Sequence, residues 1–338
     1  MKKIFSITAV SLLVLILFAF VEVYLFLHTT PTQKKNEQIV EIPSGSPFRK
    51  IAKSLKAKGV ITNDIKFYFL ARCKKHLTSI KAGEYLLTTN MTPLDVLDTL
   101  VSGRTLLYRL TVPEGHNLYQ VSDTANSLGL VSKEEFIAKA HDPLLLQELR
   151  IEGISVEGYL FPETYFFSKP ATSDKIIRTM VQKFWEHFSD DLRFQGQKLG
   201  LTEHQVVILA SIIEKETGVS EERRLISAVF HNRLKINMKL QSDPTVIYGI
   251  KNFSGNLTKK DLLTSTPYNT YTHEGLPIGP IANPGREALG ATVNPAPATY
   301  LYFVSKNDGS HFFSSTYKEH LKAVRQYQKS SSSSNSLK

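Results

Sequence analysis

The chain has 338 residues, 42% of them hydrophobic and 21% charged, an ordinary globular composition with room for more than one core. A single cysteine, Cys73, excludes an intramolecular disulfide and any Cys-x-x-Cys zinc pattern, and the ten histidines show no His-x-x-x-His spacing, so neither metal nor cofactor is expected. The formal net charge of +10 suits anionic surroundings, whether lipid headgroups or an acidic polymer; the lysines are scattered and no nucleic-acid module is recognisable, so no nucleic-acid partner is expected.

Lys2-Lys3 precede an apolar run from Ile4 to Leu27, interrupted only by Glu22. At about 1.5 Å per residue the run spans the ~30 Å hydrocarbon core of a bilayer. A cleavable signal peptide would be shorter and end in a small-x-small site, and a lipoprotein would carry a cysteine just after the run. Residues 1–28 therefore read as a short cytoplasmic end and an uncleaved anchor. Lys34-Lys35 balance Lys2-Lys3 in the positive-inside count, and the free amino terminus tips the orientation toward an extracytoplasmic main body. Glu22 then falls near the outer interface, within reach of water.

Residues 29–38 (TTPTQKKNEQ) form a polar linker, and 329–338 (KSSSSSNSLK) a low-complexity tail expected to be disordered. Between them lies a repeat. Ile42-Pro43-Ser44-Gly45 is echoed by Val112-Pro113-Glu114-Gly115, each followed by a helical pattern that closes on a glycine and two apolar residues, Gly59-Val60-Ile61 and Gly129-Leu130-Val131. Thr62 and Ser132 then offer N-caps, and Phe67 and Phe136 follow in register. The first copy continues through a strand at Ala82–Leu87 and a helix capped by Thr92-Pro93 that stops at Gly103. A β-α-α-β module of this kind, residues 39–103, resembles a LysM-type glycan-binding domain; a spacer without glycan affinity would share the same pattern.

Residues 104–328 read as a larger α+β domain. Gly158 to Tyr165 is an aromatic strand-and-turn segment, followed by a helix through Ile176, Met180, Phe184 and Phe188 and two more at about 203–217 and 221–236. From 238 to 300 the chain is rich in Pro, Gly, Asn, Thr and Tyr, and loops that long inside a compact domain are usually functional. Thr202 and Gln205 form a capping box, and Gly218 is placed to end the same helix in a left-handed position. Val206, Leu209, Ala210 and Ile213 share one face, which Glu216 continues, while Glu214 points about 160° away at ~100° per residue. Burial and the negative end of the helix dipole would both raise the pKa of Glu216, making it a candidate general acid. The same position would equally serve an ion pair with Arg223 or Arg233 that joins two helices.

Several segments then narrow the choice. Ile212-Ile213-Glu214-Lys215-Glu216-Thr217, Asn232-Arg233-Leu234, Leu240-Gln241-Ser242-Asp243-Pro244-Thr245-Val246, Thr266-Pro267-Tyr268-Asn269-Thr270-Tyr271, Gly275-Leu276-Pro277, Ile281-Ala282-Asn283-Pro284-Gly285 and Tyr300–Val304 resemble the endolytic murein transglycosylase family, as do Tyr159–Tyr165 and the single anchor. The resemblance implies that Glu216 is the essential residue and that the reaction is lyase-like. The C6 hydroxyl of N-acetylmuramic acid attacks its own C1 and leaves a 1,6-anhydro end, so one protein carboxyl can suffice where a hydrolase needs two.

Tyr268, Asn269 and Tyr271 are candidates to line a sugar groove, and Asn232, Gln241 and Asp243 to position substrate or orient Glu216; each could instead hold the irregular loops. His311 is expected to pack, and Ser211 has no histidine–acid arrangement to activate it. The expected partners are peptidoglycan glycan strands, the bilayer, and peptidoglycan synthases, with the protein in the cell (inner) membrane. Two rival functions remain: a hydrolytic muramidase with Asp243 or Glu222 as second carboxylate, and a non-catalytic wall-binding scaffold.

Overall fold

The amino-terminal apolar run forms one helix, α1 (Lys2–His28), in the computed structural model, which describes residues 2–251, 253 and 255–328. The serine-rich tail lies outside the described residues. The stretch Val10–His28 has a mean hydropathy of 2.7 and is long and apolar enough to cross a membrane. The chain is mixed α+β and divides into two units, Met1–Arg109 with Phe166–Ala171 and Leu110–Tyr165 with Thr172–Lys338.

In the first unit α1 is followed by β1 (Glu37–Ile42), α2 (Phe48–Ala57), α3 (Asp64–Cys73), β2 (Gly83–Thr88) and α4 (Pro93–Ser102). β1 and β2 pair antiparallel with Val40 opposite Tyr85. The period of two turns Val40, Ile42, Tyr85 and Leu87 inward, where they meet Phe48, Leu55, Phe67, Leu97 and Leu100. Phe26, from the last turn of α1, is buried in the same core. Thr92 and Asp95 cap α4 reciprocally, with Pro93 in the first turn and Gly103 at φ 74°, as the residue types require. One expected boundary moves: α3 is capped by Asn63, whose Oδ1 accepts the Lys66 N–H at 3.0 Å, rather than by Thr62.

β3 (Leu107–Thr111) leads into the second unit, where α5 (Leu118–Ser127), α6 (Lys133–Ala140) and α7 (Pro143–Glu148) precede β4 (Thr164–Ser168). β3 and β4 pair with each other, and the boundary between the units cuts both strands. The strand expected near Gly158 therefore begins six residues later, because Gly158 to Phe161 is buried irregular chain. The repeat is present in backbone detail. Gly45 and Gly115 have φ of 72° and 74°, and Gly59 and Gly129 have 67° and 62°. Val60 and Leu130 each donate to the carbonyl five residues back, at Leu55 and Ala125, and Phe67 and Phe136 are both fully buried. These are glycine-terminated helices whose last carbonyls are satisfied by the turn itself.

The unit continues with α8 (Ser173–His187), α9 (Asp190–Lys198), α10 (Glu203–Glu216), a 3-10 turn (Ser220–Glu222), α11 (Arg223–Lys235), α12 (Asp243–Gly249), α13 (Lys259–Leu263) and α14 (Arg286–Val293). β5 (Tyr302–Ser305) and β6 (His311–Ser314) form an antiparallel hairpin before α15 (Tyr317–Tyr327). The segment from 238 to 300 is thus broken up by three short helices. α10 starts at the expected Thr202–Gln205 capping box. Its eight residues Val206–Ile213 are all buried, because α9, α11, α12 and α14 pack around it; it is a central helix, not a one-faced one. Its end also differs from expectation. Thr217 is extended at φ −146°, and its hydroxyl accepts the Val219 N–H at 2.9 Å, so Gly218 has no left-handed role.

Candidate active site

Glu216 is the last residue of α10 and is half-buried. The Ser242 hydroxyl donates to its Oε1 at 2.5 Å, the one hydrogen bond to this carboxylate among the described residues. Ser242 is itself fixed from behind. Its N–H donates to Thr270 Oγ1 at 3.0 Å, and its carbonyl accepts the Thr245 hydroxyl at 2.6 Å. Gln241 adopts φ 48° and donates its N–H to the Thr270 carbonyl at 3.2 Å, so this turn is stitched to the 270 loop. Asp243 opens α12, is exposed, and accepts the Tyr271 hydroxyl at 2.5 Å.

Burial is the largest influence on Glu216 and raises its pKa to about 7; the charge of Asp243 acts in the same direction, while the Ser242 bond and the charge of Arg233 oppose it. Burial also raises Tyr271, helped by its bond to Asp243. The Arg233 guanidinium donates to the carbonyls of Leu240 at 2.6 Å and Leu301 at 2.7 Å. Neither arginine weighed from sequence forms an ion pair with Glu216 among the described residues. Arg223 lies 3.8 Å from Glu214 and 2.5 Å from Glu287.

Glu214 takes the other direction, as the helical angle requires. Its Oε2 accepts the Gly285 N–H at 2.9 Å, and its side chain is only 6% exposed. Burial raises its pKa too, helped by the charge of Glu114, against the Gly285 bond and the nearby cations. Glu214 therefore fastens the 283–285 loop to α10, and Asn283 continues the fastening: its Oδ1 accepts the Leu160 N–H at 2.9 Å and its Nδ2 donates to the His116 carbonyl at 2.8 Å.

The structure brings Glu216, Asp243 and Tyr271 together, with the backbone of Gln241 beside them. Asn232 and Asn269 have their amides occupied elsewhere. Asn232 donates to the carbonyls of Ala298 and Tyr300 at 2.8 and 2.9 Å. Asn269 is fully buried and donates to three carbonyls, including Thr264 at 2.7 Å. Tyr268 stands edge-on to Tyr248, ring centroids 4.8 Å apart. His311 does more than pack: its Nδ1 lies 2.6 Å from Glu222 Oε2 and its N–H donates to Oε1 at 2.8 Å, which occupies both oxygens of Glu222. Ser211 is structural, donating to the Ile208 carbonyl at 2.7 Å and accepting the Ile281 N–H at 3.0 Å.

Two residues were not singled out from sequence. Ser242 sat inside a quoted motif without a role. Glu157, fully buried, accepts the Leu118 N–H with both oxygens at 3.1 and 2.9 Å and the Tyr248 hydroxyl at 2.8 Å. Burial raises its pKa to about 7. The available signal was a lone carboxylate in an otherwise apolar and aromatic run, Val156 to Phe161, since such a group must find partners when buried.

A desolvated carboxyl at the end of a central helix, on a mixed α+β fold that follows one apolar helix, defines a carboxyl-centred site in a protein with a candidate membrane anchor. The chain belongs to the YceG-like family, whose profile matches residues 40–326. It is 35% identical over 315 residues to the endolytic murein transglycosylase of Bacillus subtilis strain 168, covering 88% of this chain and 87% of that protein. It is 31% identical over 320 residues to the endolytic murein transglycosylase of Streptococcus pneumoniae D39, covering 85% of this chain but 58% of that longer protein. Among solved structures it resembles a yceG-like protein from Listeria monocytogenes, with a TM-score of 0.60 and 32% identity over 86% of this chain and the whole of that one.

Proposed function

We propose that this chain is an endolytic lytic transglycosylase of peptidoglycan, with Glu216 as its acid and then its base. The observation that carries this reading is the Glu216 carboxyl, held near neutral pKa by burial and fixed through one oxygen by Ser242. Protonated, it donates to the glycosidic oxygen between N-acetylmuramic acid and N-acetylglucosamine as the C1–O bond breaks. The muramyl C6 hydroxyl then bonds to C1 and returns its proton to Glu216, so the enzyme ends as it began and no water is consumed. Asp243, which accepts the Tyr271 hydroxyl, would meet the positive charge that develops at C1. Asn232 and Asn269 act through the loops they hold, and Tyr268 would line the sugar groove.

The remaining assignments belong to the same proposal. Residues 39–103 form a LysM-like module, supported by the β1-α2-α3-β2 order with an antiparallel ladder. A cavity of about 600 Å³ lined by Ser44, Gly45, Phe48, Arg49, Tyr68 and Leu77 offers a groove for a sugar. Residues 104–328 form the catalytic domain, 29–38 a linker and 329–338 a tail. Residues 1–28 anchor the protein in the cell (inner) membrane with the catalytic domain outside the cytoplasm, next to the peptidoglycan synthases that supply nascent strands.

The test is digestion of purified glycan strands by the full chain, read by mass spectrometry. Anhydromuramyl ends that vanish in Glu216→Gln are expected, with a rate loss of about 10²–10⁴ for removal of a general acid. Reducing muramyl ends would make it a hydrolytic muramidase, with Asp243 activating water. Glycan retention without cleavage, the same in both proteins, would make it a wall-binding scaffold.

A further inference from the structure

The end of α1 is part of the folded first unit, and this fixes a level on α3. Phe26 is buried in the core of that unit, while Val21, Val23, Tyr24 and Leu25 around it remain exposed. One turn before Phe26, Glu22 forms an ion pair with Lys66 of α3 at 2.6 Å. From Lys3 to Glu22 the helix rises about 28 Å at ~1.5 Å per residue, close to the ~30 Å hydrocarbon thickness. If α1 crosses a bilayer, Glu22 marks the outer boundary of the hydrocarbon, and Lys66 stands at that boundary with it.

The face of α3 beside Lys66 is unusual for a surface facing water. Ile65 is 64% exposed and Phe69 54%, one turn apart, with Cys73 a further turn along the same stripe. The opposite face, with Phe67 and Ala71, is in the core. Exposed Arg72, Lys74 and Lys75 close the helix. An apolar pair flanked by basic side chains, at the level of a helix end with its own exposed apolar side chains, has the composition of an interfacial membrane surface: rings and aliphatics below, cations toward anionic headgroups.

We propose that the Ile65–Phe69–Cys73 face of α3 lies in the headgroup layer of the bilayer that α1 crosses, so that the first unit rests on the membrane. This depends on α1 being a membrane span, and the test separates the two ideas. The contact is a second attachment beside the anchor; it restricts the tilt of the first unit and removes Ile65 and Phe69 from water.

The experiment uses the full chain in nanodiscs of phosphatidylethanolamine and phosphatidylglycerol, spin-labelled at single cysteines. Nitroxides are placed by Phe69→Cys, Leu17→Cys and Asp191→Cys, each in a Cys73→Ser background, with Asp191 as a water-exposed reference on α9. Collision rates with oxygen and with a water-soluble nickel chelate report depth. The label at 69 is expected to favour oxygen, as at 17, with the ratio reversed at 191. The unmutated chain labelled at Cys73 should also favour oxygen, which guards against a folding defect from substitution. Labels at 69 and 73 that match 191, while 17 remains lipid-exposed, would overturn the proposal and leave the anchor standing. A label at 17 that matches 191 would overturn the anchor, and the proposal with it.

Discussion

The environment of Glu216 makes a signed prediction, because two neighbours push its carboxyl in opposite directions. The Ser242 hydroxyl stabilises the carboxylate and lowers the pKa, whereas the charge of Asp243 raises it. In its proposed role as general acid Glu216 must be protonated, so activity is expected at low pH and to be lost as pH rises through about 7. A hydrogen bond to a charged group contributes about 1.5–3 kcal/mol, and one pKa unit is about 1.4 kcal/mol. Ser242→Ala removes the bond, but Glu216 is half-buried and water can take part of the hydroxyl's place, so the basic limb should move up by about one unit. Asp243→Asn removes a like charge that is exposed and screened, so the limb should move down by a fraction of a unit. The assay is release of anhydromuramyl ends from purified glycan under first-order conditions between pH 5 and 9, roughly the span over which such limbs are resolved, with the thermal midpoint checked for each variant. Shifts of the same sign, or a limb that stays in place in both, would refute the electrostatic account of the site.

Glu157 gives a linked stability effect: its pKa rises from 4.5 in the unfolded chain to about 7 when folded, so its protonated form stabilises the fold below pH 4.5 and that contribution is lost as pH rises through about 7. Glu157→Gln should flatten this dependence by up to about 3 kcal/mol, measured as urea midpoints at acidic and alkaline pH; an unchanged slope would mean the carboxyl ionises freely. Gly158→Ala should cost about 3 kcal/mol, since φ is 86° and a Cβ would meet Pro280 at 2.6 Å. Gly115→Ala, with φ 74° and nothing nearer than 3.6 Å, should lose only about 1–2 kcal/mol by the same denaturation assay, and equal losses would contradict the steric account. Glu222→Gln should lower the thermal midpoint by breaking the His311 pair yet leave the product ends and their pH profile unchanged; reducing ends lost in this variant alone would restore Glu222 as a catalytic base.

The parts of the fold legible in the sequence are those fixed by local chemistry. Glycines that must adopt positive φ, hydroxyls that accept the first free N–H groups and prolines at helix starts act within a few residues of themselves. That is why both copies of the repeat, α4 and the start of α10 stand where their residues put them. The same reasoning missed by one residue at Thr62, since Asn63 is the residue that accepts the Lys66 N–H, and it missed at Gly218, because the chain already turns extended at Thr217, whose hydroxyl accepts the Val219 N–H. Glu157 shows as a lone carboxylate in an apolar run, but what it binds was illegible for a different reason. Its partners Leu118 and Tyr248 are 39 and 91 residues away, and no local pattern encodes that meeting.

Glu216 lies between these cases. Helical spacing separates it correctly from Glu214, and the two side chains do go to different loops. Yet α10 is covered on every side through Val206–Ile213, and burial raises both carboxyls, so an apolar face does not by itself choose the acid. The two carboxyls differ in the partners that the chain brings from elsewhere. Glu214 gives its Oε2 to the Gly285 N–H and is 6% exposed, turned into the loop it holds, while the charges of Glu114 and Arg223 oppose each other on it. Glu216 meets one hydroxyl on Oε1 and the charge of Asp243, which leave it able to gain and lose a proton near neutrality. A buried carboxyl fastened to a backbone N–H holds a loop; a half-buried one held by a single hydroxyl on one oxygen can exchange a proton with substrate.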